Sequence, residues 1–279
     1  MGQSSQSGNP HQRFIGERQP YLYLYLFMER TGLQNSRIED LVEQDNVRAY
    51  VLFYFGIRFY EYSEKTLEEV CNDRGLKLEH VIQELESPSR HLVEESLPLI
   101  SYPIELILEY LRHAHFLFVK HKLPYISKLV ESFNAGPSAY VSIAKDLKTL
   151  FPLFVDDFMR HIYEEEDTLF RYIALLDKSD RGAYHAGKVF YMMERYSVQR
   201  FAVEHEVHDD EMEGIRKITQ GYYVDAATPL HVKVIYSELT GLEKSLKIHA
   251  RIENEILFPK AMILENKVKR LFLEKVKYN

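Results

Sequence analysis

Hydrophobic positions recur at helical spacing along most of the chain and predict an all-α protein. In the second half they mark four long amphipathic segments, at about 103–133, 138–176, 183–219 and 229–264. Short stretches rich in Gly, Ser and Asp separate these segments and favour tight connections between antiparallel helices. The pattern therefore predicts an up-down-up-down four-helix bundle over residues 103–279. We predict no strand.

Local signals indicate how two of these helices are built. Pro152 lies inside the second segment and predicts a bend there, because proline removes one backbone hydrogen bond. At the start of the fourth segment, Thr228 is expected to cap the helix and Pro229 to occupy its first position.

The chain before the bundle divides into three parts. Residues 1–36 begin with a stretch rich in Ser, Gln, Gly and Pro and are predicted to form a flexible tail. Residues 37–86 have apolar positions at helical spacing and predict a small helical domain, whose last two helices are separated by Gly75. Residues 87–102 are rich in Ser and Pro and predict a linker.

Composition excludes several classes of partner and site. The 279 residues carry a formal net charge of −7 and no basic run, so we expect no nucleic acid partner. Cys71 is the only cysteine, which rules out an intrachain disulfide and a cysteine-based metal site within one chain. The apolar run at 21–27 is too short to cross a membrane, and we expect a cytoplasmic protein without membrane contact.

Two stretches of ten residues share the same chemistry at the same offsets. The stretch "HIYEEEDTLF" (161–170) and the stretch "HARIENEILF" (249–258) both have His, then Glu four residues later, then Leu-Phe. One such charged run alone would indicate a solvated helix face, but the second copy favours a shared function. A spacing of four places His161 with Glu165, and His249 with Glu253, on one face of each helix.

The other two predicted helices carry single histidine candidates. They are His208 in "EHEVHDDEMEGI" and either His113 or His115 in "LRHAHFLF". His205 is expected at the surface, with a supporting position behind the ligands as the alternative. Four helices that each contribute a histidine, with two carboxylates able to bridge, suit a pair of iron ions. The chain lacks the HExxH sequence, so a zinc-protease site is not supported.

These residues resemble those of hemerythrin-like bundles, over about 39–264. The order of a small domain and a bundle resembles more closely the RIC family (repair of iron centres). The resemblance implies two iron ions in an oxo-bridged di-iron centre. By motif, His161 and Glu165 match the first H-x3-E of the family, His249 and Glu253 match the second, and His208 matches its E-H-D-type segment. In the family, the two carboxylates bridge the irons.

The chain departs from the family in two places. A gap-free alignment places Phe116 where the family often has its first-helix ligand, so that both His115 and His113 remain candidates. The adjacent cysteine pair of the RIC N-terminal domain is replaced by Tyr60 and Glu61. Thiol chemistry from this domain is therefore not expected.

The resemblance implies two functions that differ in their partners. One is repair of iron–sulfur clusters damaged by nitrosative or oxidative stress, with iron–sulfur proteins as partners and a redox or iron-donating role for the metals. The other is binding or sensing of small gases, NO or O2, without repair. A third interpretation is a purely structural helical protein with incidental histidines. The sequence leaves open the native metal and whether two chains form a homodimer.

Overall fold

A computed structural model describes residues 32–87, 99–134, 140–183, 186–206 and 211–277. Within these ranges the chain is helical and has no strand, apart from one isolated bridge between Arg37 and Thr66. The all-α prediction is confirmed. The chain forms two compact units, Met1–Arg90 and His91–Asn279. Most of the predicted tail and of the predicted linker lies outside the described residues, and residues 32–35 of the tail are helical.

The first unit contains short helices around a small apolar core. Its core includes Leu41, Leu52, Leu67 and Cys71, which have no exposed surface. Burial raises the pKa of the Cys71 thiol, so it is protonated at neutral pH and unreactive. The helices are α1 (Ile38–Gln44), α2 (Val47–Tyr54), α3 (Leu67–Arg74) and α4 (Leu78–Glu86), with a 3₁₀ turn at Phe59–Glu61.

Helix α3 shows how local sequence sets the ends of these elements. The Thr66 hydroxyl accepts from the backbone N–H of Glu69, and the Glu69 carboxylate accepts from the backbone N–H of Thr66. This reciprocal pair satisfies two backbone donors that the helix itself leaves free. Gly75 ends the helix at a φ of 65°, a conformation that glycine adopts without strain. The predicted break at Gly75 is present.

As far as the chain is described, the second unit contains four long bundle helices, and three of them include a π-helical turn. The first comprises α5 (Ile104–Leu117), a π turn (Phe118–Lys122) and α6 (Leu123–Glu131). The second comprises α7 (Val141–Glu164), a π turn (Glu165–Phe170) and α8 (Arg171–Asp180). The third comprises α9 (Ala186–Arg195), α10 (Val198–Glu206) and α11 (Glu213–Ile218). The fourth comprises α12 (Leu230–Ile252), a π turn (Glu253–Leu257) and α13 (Phe258–Lys277).

The packing partners show that the four helices alternate in direction. Helix α5 packs on α8 and α6 packs on α7, so the first and second bundle helices are antiparallel. Helix α12 packs on α6, and the π turn that follows α12 packs on α5. Helix α10 packs on α13, and α11 packs on α7. This is the predicted up-down-up-down order.

Three details of the bundle differ from the sequence-based predictions. The third segment was expected to be one helix, but it is interrupted after Arg195, and the N–H of Val198 donates to Glu265 of the fourth bundle helix. The hydroxyl of Thr228 bonds to Asp225 and does not cap α12. The fourth bundle helix continues beyond residue 264, because α13 packs along α8 and α10.

The bundle core is apolar and lies beside the histidine-bearing turns. Leu111, Phe170, Ile173 and Leu257 are completely buried there, each from a different stretch of helix. Burying such side chains contributes roughly 1.5–3 kcal/mol each to folding.

Helix α7 continues through Pro152, which is exposed. No helix in the described part of the chain combines the length and apolarity needed to cross a membrane.

Candidate metal centre

Two groups of potential metal ligands meet inside the bundle. One group consists of His115, Glu165, His249 and Glu253, and the other of His161, Glu165 and His205. Within each group, the candidate ligand atoms all lie within 4.8 Å of one another. Glu165 belongs to both groups, so the two groups adjoin at its carboxylate.

Each of the four bundle helices contributes to this arrangement. His115 comes from α5, His161 from α7, His205 from α10 and His249 from α12. The two glutamates are the first residues of the π turns in the second and fourth bundle helices. A π turn inserts an extra residue into a helix and is frequently found at functional sites. The two ten-residue repeats therefore have the same local structure as well as the same sequence pattern.

Both carboxylates contact imidazoles of both groups. The Oε2 atom of Glu165 lies 3.3 Å from His115 Nε2, and its Oε1 atom lies 3.1 Å from His161 Nε2 and 3.4 Å from His205 Nε2. The Glu253 carboxylate lies 2.9 Å from His205 Nε2 and 3.4 Å from His249 Nε2. Each carboxylate thus lies between the two groups, where it can bridge two ions.

The positions of the donor atoms suit the binding of two metal ions better than a cluster held together by hydrogen bonds alone. The oxygens of Glu165 and Glu253 are buried and make no hydrogen bond of ordinary geometry with the described residues. The Nε2 atoms of His115 and His249 approach each other to 3.0 Å. Buried carboxylates are normally paired through hydrogen bonds or bound to a metal. Imidazole and carboxylate together suit iron or zinc ions.

The same contacts shift the proton equilibria of the cluster. Burial alone would raise the pKa of Glu165, but the imidazoles of His115, His161 and His205 hold that pKa well below its usual range. Burial lowers the pKa of His205, but the carboxylates of Glu165 and Glu253 outweigh it and raise the pKa to about 10. Protons therefore balance the charge of the metal-free cluster, and binding of metal ions must displace them.

Glu166 holds His115 from the side away from Glu165. The Nδ1 atom of His115 donates to Oε1 of Glu166 over 2.9 Å. An ionised carboxylate can only accept, so Nδ1 carries a proton, and Nε2 is the nitrogen left to a metal ion once any proton on it is displaced. That nitrogen is the one that faces Glu165 and His249. Glu166 thus sets the tautomer that a metal ion requires.

We predict that Glu166→Ala weakens metal binding by about 10- to 100-fold, the usual effect of losing a carboxylate that orients a ligand histidine. The number of ions bound at saturation should stay the same, because no ligand atom is removed. Competition titration against a chelator measures the change, and Glu166→Gln, which keeps an acceptor, should lose less. Equal affinity in all three proteins would rule out this role.

Aromatic side chains enclose the histidines. The Phe170 ring stacks on His115 at 5.5 Å, and the Phe258 ring meets His205 edge-on at 5.5 Å. Phe118 lies edge-on to His249 at 5.8 Å, and Phe158 stacks on His161 at 6.3 Å. These rings fill the space around the ligands and keep bulk water away from most of the cluster.

The structure separates the two histidines of the first bundle helix. The side chain of His115 is 2% exposed and lies in the cluster. His113 lies at the surface, where its ring stacks on exposed Phe116 at 6.4 Å. Two residues along a helix turn the side chain to nearly the opposite face. Neither His113 nor Phe116 takes part in the cluster.

The third bundle helix supplies a residue that the sequence assignment missed. His208, the predicted ligand, lies outside the described residues. His205 was expected at the surface, but its side chain is only 10% exposed and contacts both glutamates. Buried Val198 and partly buried Phe201 precede it at helical spacing. This spacing was the available signal, since it continues the apolar face of α10 to His205.

Comparison with known proteins agrees with this geometry. No curated protein matches the chain. A family model, the hemerythrin HHE cation-binding domain, matches residues 106–261, which is more than half of the chain and includes all the clustered side chains. Its name describes binding of cations, and the six clustered side chains are suitable ligands for them. The chain therefore belongs to the hemerythrin HHE cation-binding domain family.

Proposed function

We propose that this protein holds two iron ions in an oxo-bridged centre and acts, like RIC proteins, in the repair of iron–sulfur clusters. The observation that supports the proposal is the pair of ligand groups that share Glu165. Each group has two imidazoles, from His115 and His249 or from His161 and His205. A compact helical unit precedes the bundle, as in the RIC family.

The ligand set favours a pair of iron ions over a structural zinc ion. A structural zinc site closes with four ligands and needs no second ion beside it. Here two carboxylates lie between two pairs of imidazoles, so these side chains would give each of two ions fewer than six ligands. When bound there, iron would supply one-electron redox chemistry and open positions for a small ligand.

The protein's own residues determine how such a centre would behave. The four imidazoles, Glu165 and Glu253 would hold the ions, and Glu166 would orient His115 for binding. The packed rings of Phe118, Phe170 and Phe258 exclude water from the inner side of the cluster. A dry, preformed site of this kind limits unwanted reactions of the metals with solvent.

Purified protein tests the repair function directly. Protein made in iron-rich medium should contain two irons per chain and show the absorption bands of an oxo-bridged ferric pair. Added to an iron–sulfur enzyme inactivated by nitric oxide, it should restore activity, whereas the Glu165→Ala variant should not. If the wild-type protein contains the iron but restores nothing, repair is refuted and the metal centre stands.

A second function is favoured by the N-terminal unit. Tyr60 and Glu61, in the 3₁₀ turn, occupy the place of the RIC cysteine pair, and Cys71 is buried. A bundle without this thiol chemistry could bind NO or O2 reversibly and serve as a sensor. Spectra of the reduced protein before and after addition of each gas test this function. Unchanged spectra with both gases would exclude it.

A further inference from the structure

The two ligand groups differ in their access to solvent. The side chains of His115 and His249 are 2% and 7% exposed, whereas the side chain of His161 is 27% exposed. We call the group with His115 and His249 the inner group and the group with His161 and His205 the outer group. The outer group is therefore the more exposed of the two.

An open cavity of about 720 Å³ leads from the surface to the outer group. His161, Glu165 and His205 line its inner end, and Phe201 and Phe258 line its apolar wall. Glu165 is 6% exposed, and both of its oxygens lack a hydrogen bond of ordinary geometry with the described residues. The cavity thus ends at a buried anionic group whose oxygens remain available to a cation.

Exposed charges at the outer end of this cavity are mainly acidic. Among the described residues, Asp157, Glu164 and Glu211 line it with exposed side chains, together with the guanidinium of Arg160. Arg160 is paired with Asp157 at 2.8 Å, so these two charges offset each other, and Glu164 and Glu211 leave the outer end net negative. Both members of the pair are exposed, and such a pair is weak enough for a cation to compete for Asp157. Asp157 and Glu164 lie four residues before and three residues after His161 on helical backbone, so all three share one face.

We propose that this cavity is the loading route for divalent cations, and that Asp157 and Glu164 form a transient cation site at its mouth. The proposal rests on the cation binding of the inner and outer groups and adds the path by which ions reach them. Carboxylates at a cavity mouth attract hydrated cations and raise their local concentration. Asp157 and Glu164 then pass the ion to His161 on the same helix face, and Glu165 lies beneath.

The prediction is that Asp157→Asn/Glu164→Gln slows metal loading without changing the final metal content. The probe is Co²⁺, mixed rapidly with the metal-free full-length protein and followed by its visible absorption. At an ionic strength of about 10 mM, where charges act over about 30 Å, loading should slow by roughly 3- to 10-fold. In about 1 M salt the two proteins should load at the same rate, because screening reduces this range to about 3 Å.

Asp156→Asn provides the matched control. Asp156 is exposed and adjacent to Asp157, but it does not line the cavity, so Asp156→Asn makes the same change of one charge as Glu164→Gln alone, without the predicted effect. Loading of the double variant at the wild-type rate in low salt would overturn the proposal, as would equal slowing by Asp156→Asn. Final Co²⁺ content and circular dichroism check the fold, and Glu164→Gln alone replaces the double variant if that protein does not fold.

The same experiment distinguishes failure of the loading route from failure of the metal-binding function. If wild-type protein binds no Co²⁺ and no iron, the metal-binding function has failed. If wild-type protein binds the ions and the double variant loads at the same speed, only the loading route has failed.

Discussion

Glu165→Ala is expected to remove both metal ions from the protein, whereas His161→Ala should remove only the outer one. Glu165 is the one residue common to both ligand groups, and it contacts His115, His161 and His205 within 3.4 Å. Its loss deprives both ions of an anionic ligand in a buried place, where unbalanced positive charge is costly. His161, in contrast, belongs to the outer group alone.

Elemental analysis after purification from iron-rich medium measures this effect as ions per chain. Asp167→Ala is the matched control, since Asp167 lies in the same π turn but pairs with Arg171 at the surface. The control should keep the full wild-type metal content. Wild-type metal content in Glu165→Ala would contradict the shared-ligand geometry and would support a purely structural role for these histidines.

Removal of the metal should lower the melting temperature of the bundle by about 10 °C or more. An ion present at 1,000 times its dissociation constant stabilises the folded state by about 4 kcal/mol. For a unit of this size, each kcal/mol corresponds to about 2–4 °C. Without the ions, buried Glu165 and Glu253 have only protonated imidazoles to balance their charge.

The pH dependence of stability should differ between the metal-free and the metal-loaded protein. In the metal-free protein the pKa of His205 is raised to about 10, above the value of about 6.5 for an unfolded chain. Its contribution to the free energy of unfolding is therefore complete below about pH 6.5 and is lost as pH rises through about 10. In the metal-loaded protein, protons compete with the ions, so stability should rise from about pH 5 to pH 7.

Thermal melts with and without a strong chelator, at several pH values, test both effects. Glu165→Ala serves as the control, because a protein without bound metal should melt at the same temperature in both conditions. Identical melts of wild-type protein with and without chelator would show that no metal stabilises the bundle.

The acidic run at 164–166 illustrates how much a sequence pattern can and cannot resolve. Glu164 is exposed at the cavity, Glu165 is buried between the two ligand groups, and Glu166 bonds to His115. Helical spacing from His161 picks out Glu165, since four residues make about one turn. The role of Glu166 depends on the first bundle helix, which is 51 residues away in sequence.

Only the packed structure shows which histidine of the first and third bundle helices lies in the ligand cluster. His113 and His115 lie on different faces of α5, and either face could have turned inward. Packing of α5 against α8 and the π turn of the fourth bundle helix buries His115. In the third segment, His205 and His208 are three residues apart in sequence, a spacing that would place both on one face of an unbroken helix, so periodicity alone could not assign the ligand.

The sequence by itself determined the helical class, the alternation of four bundle helices and the two repeated His-x3-Glu stretches, because each is a local pattern set by helical geometry. Only the tertiary structure decided the interruption after Arg195, the burial of His205 and the exposure of His113. These features depend on contacts between residues far apart in the chain, such as Val198 with Glu265. Local spacing defines the face on which a residue lies, whereas packing between helices defines which face is buried.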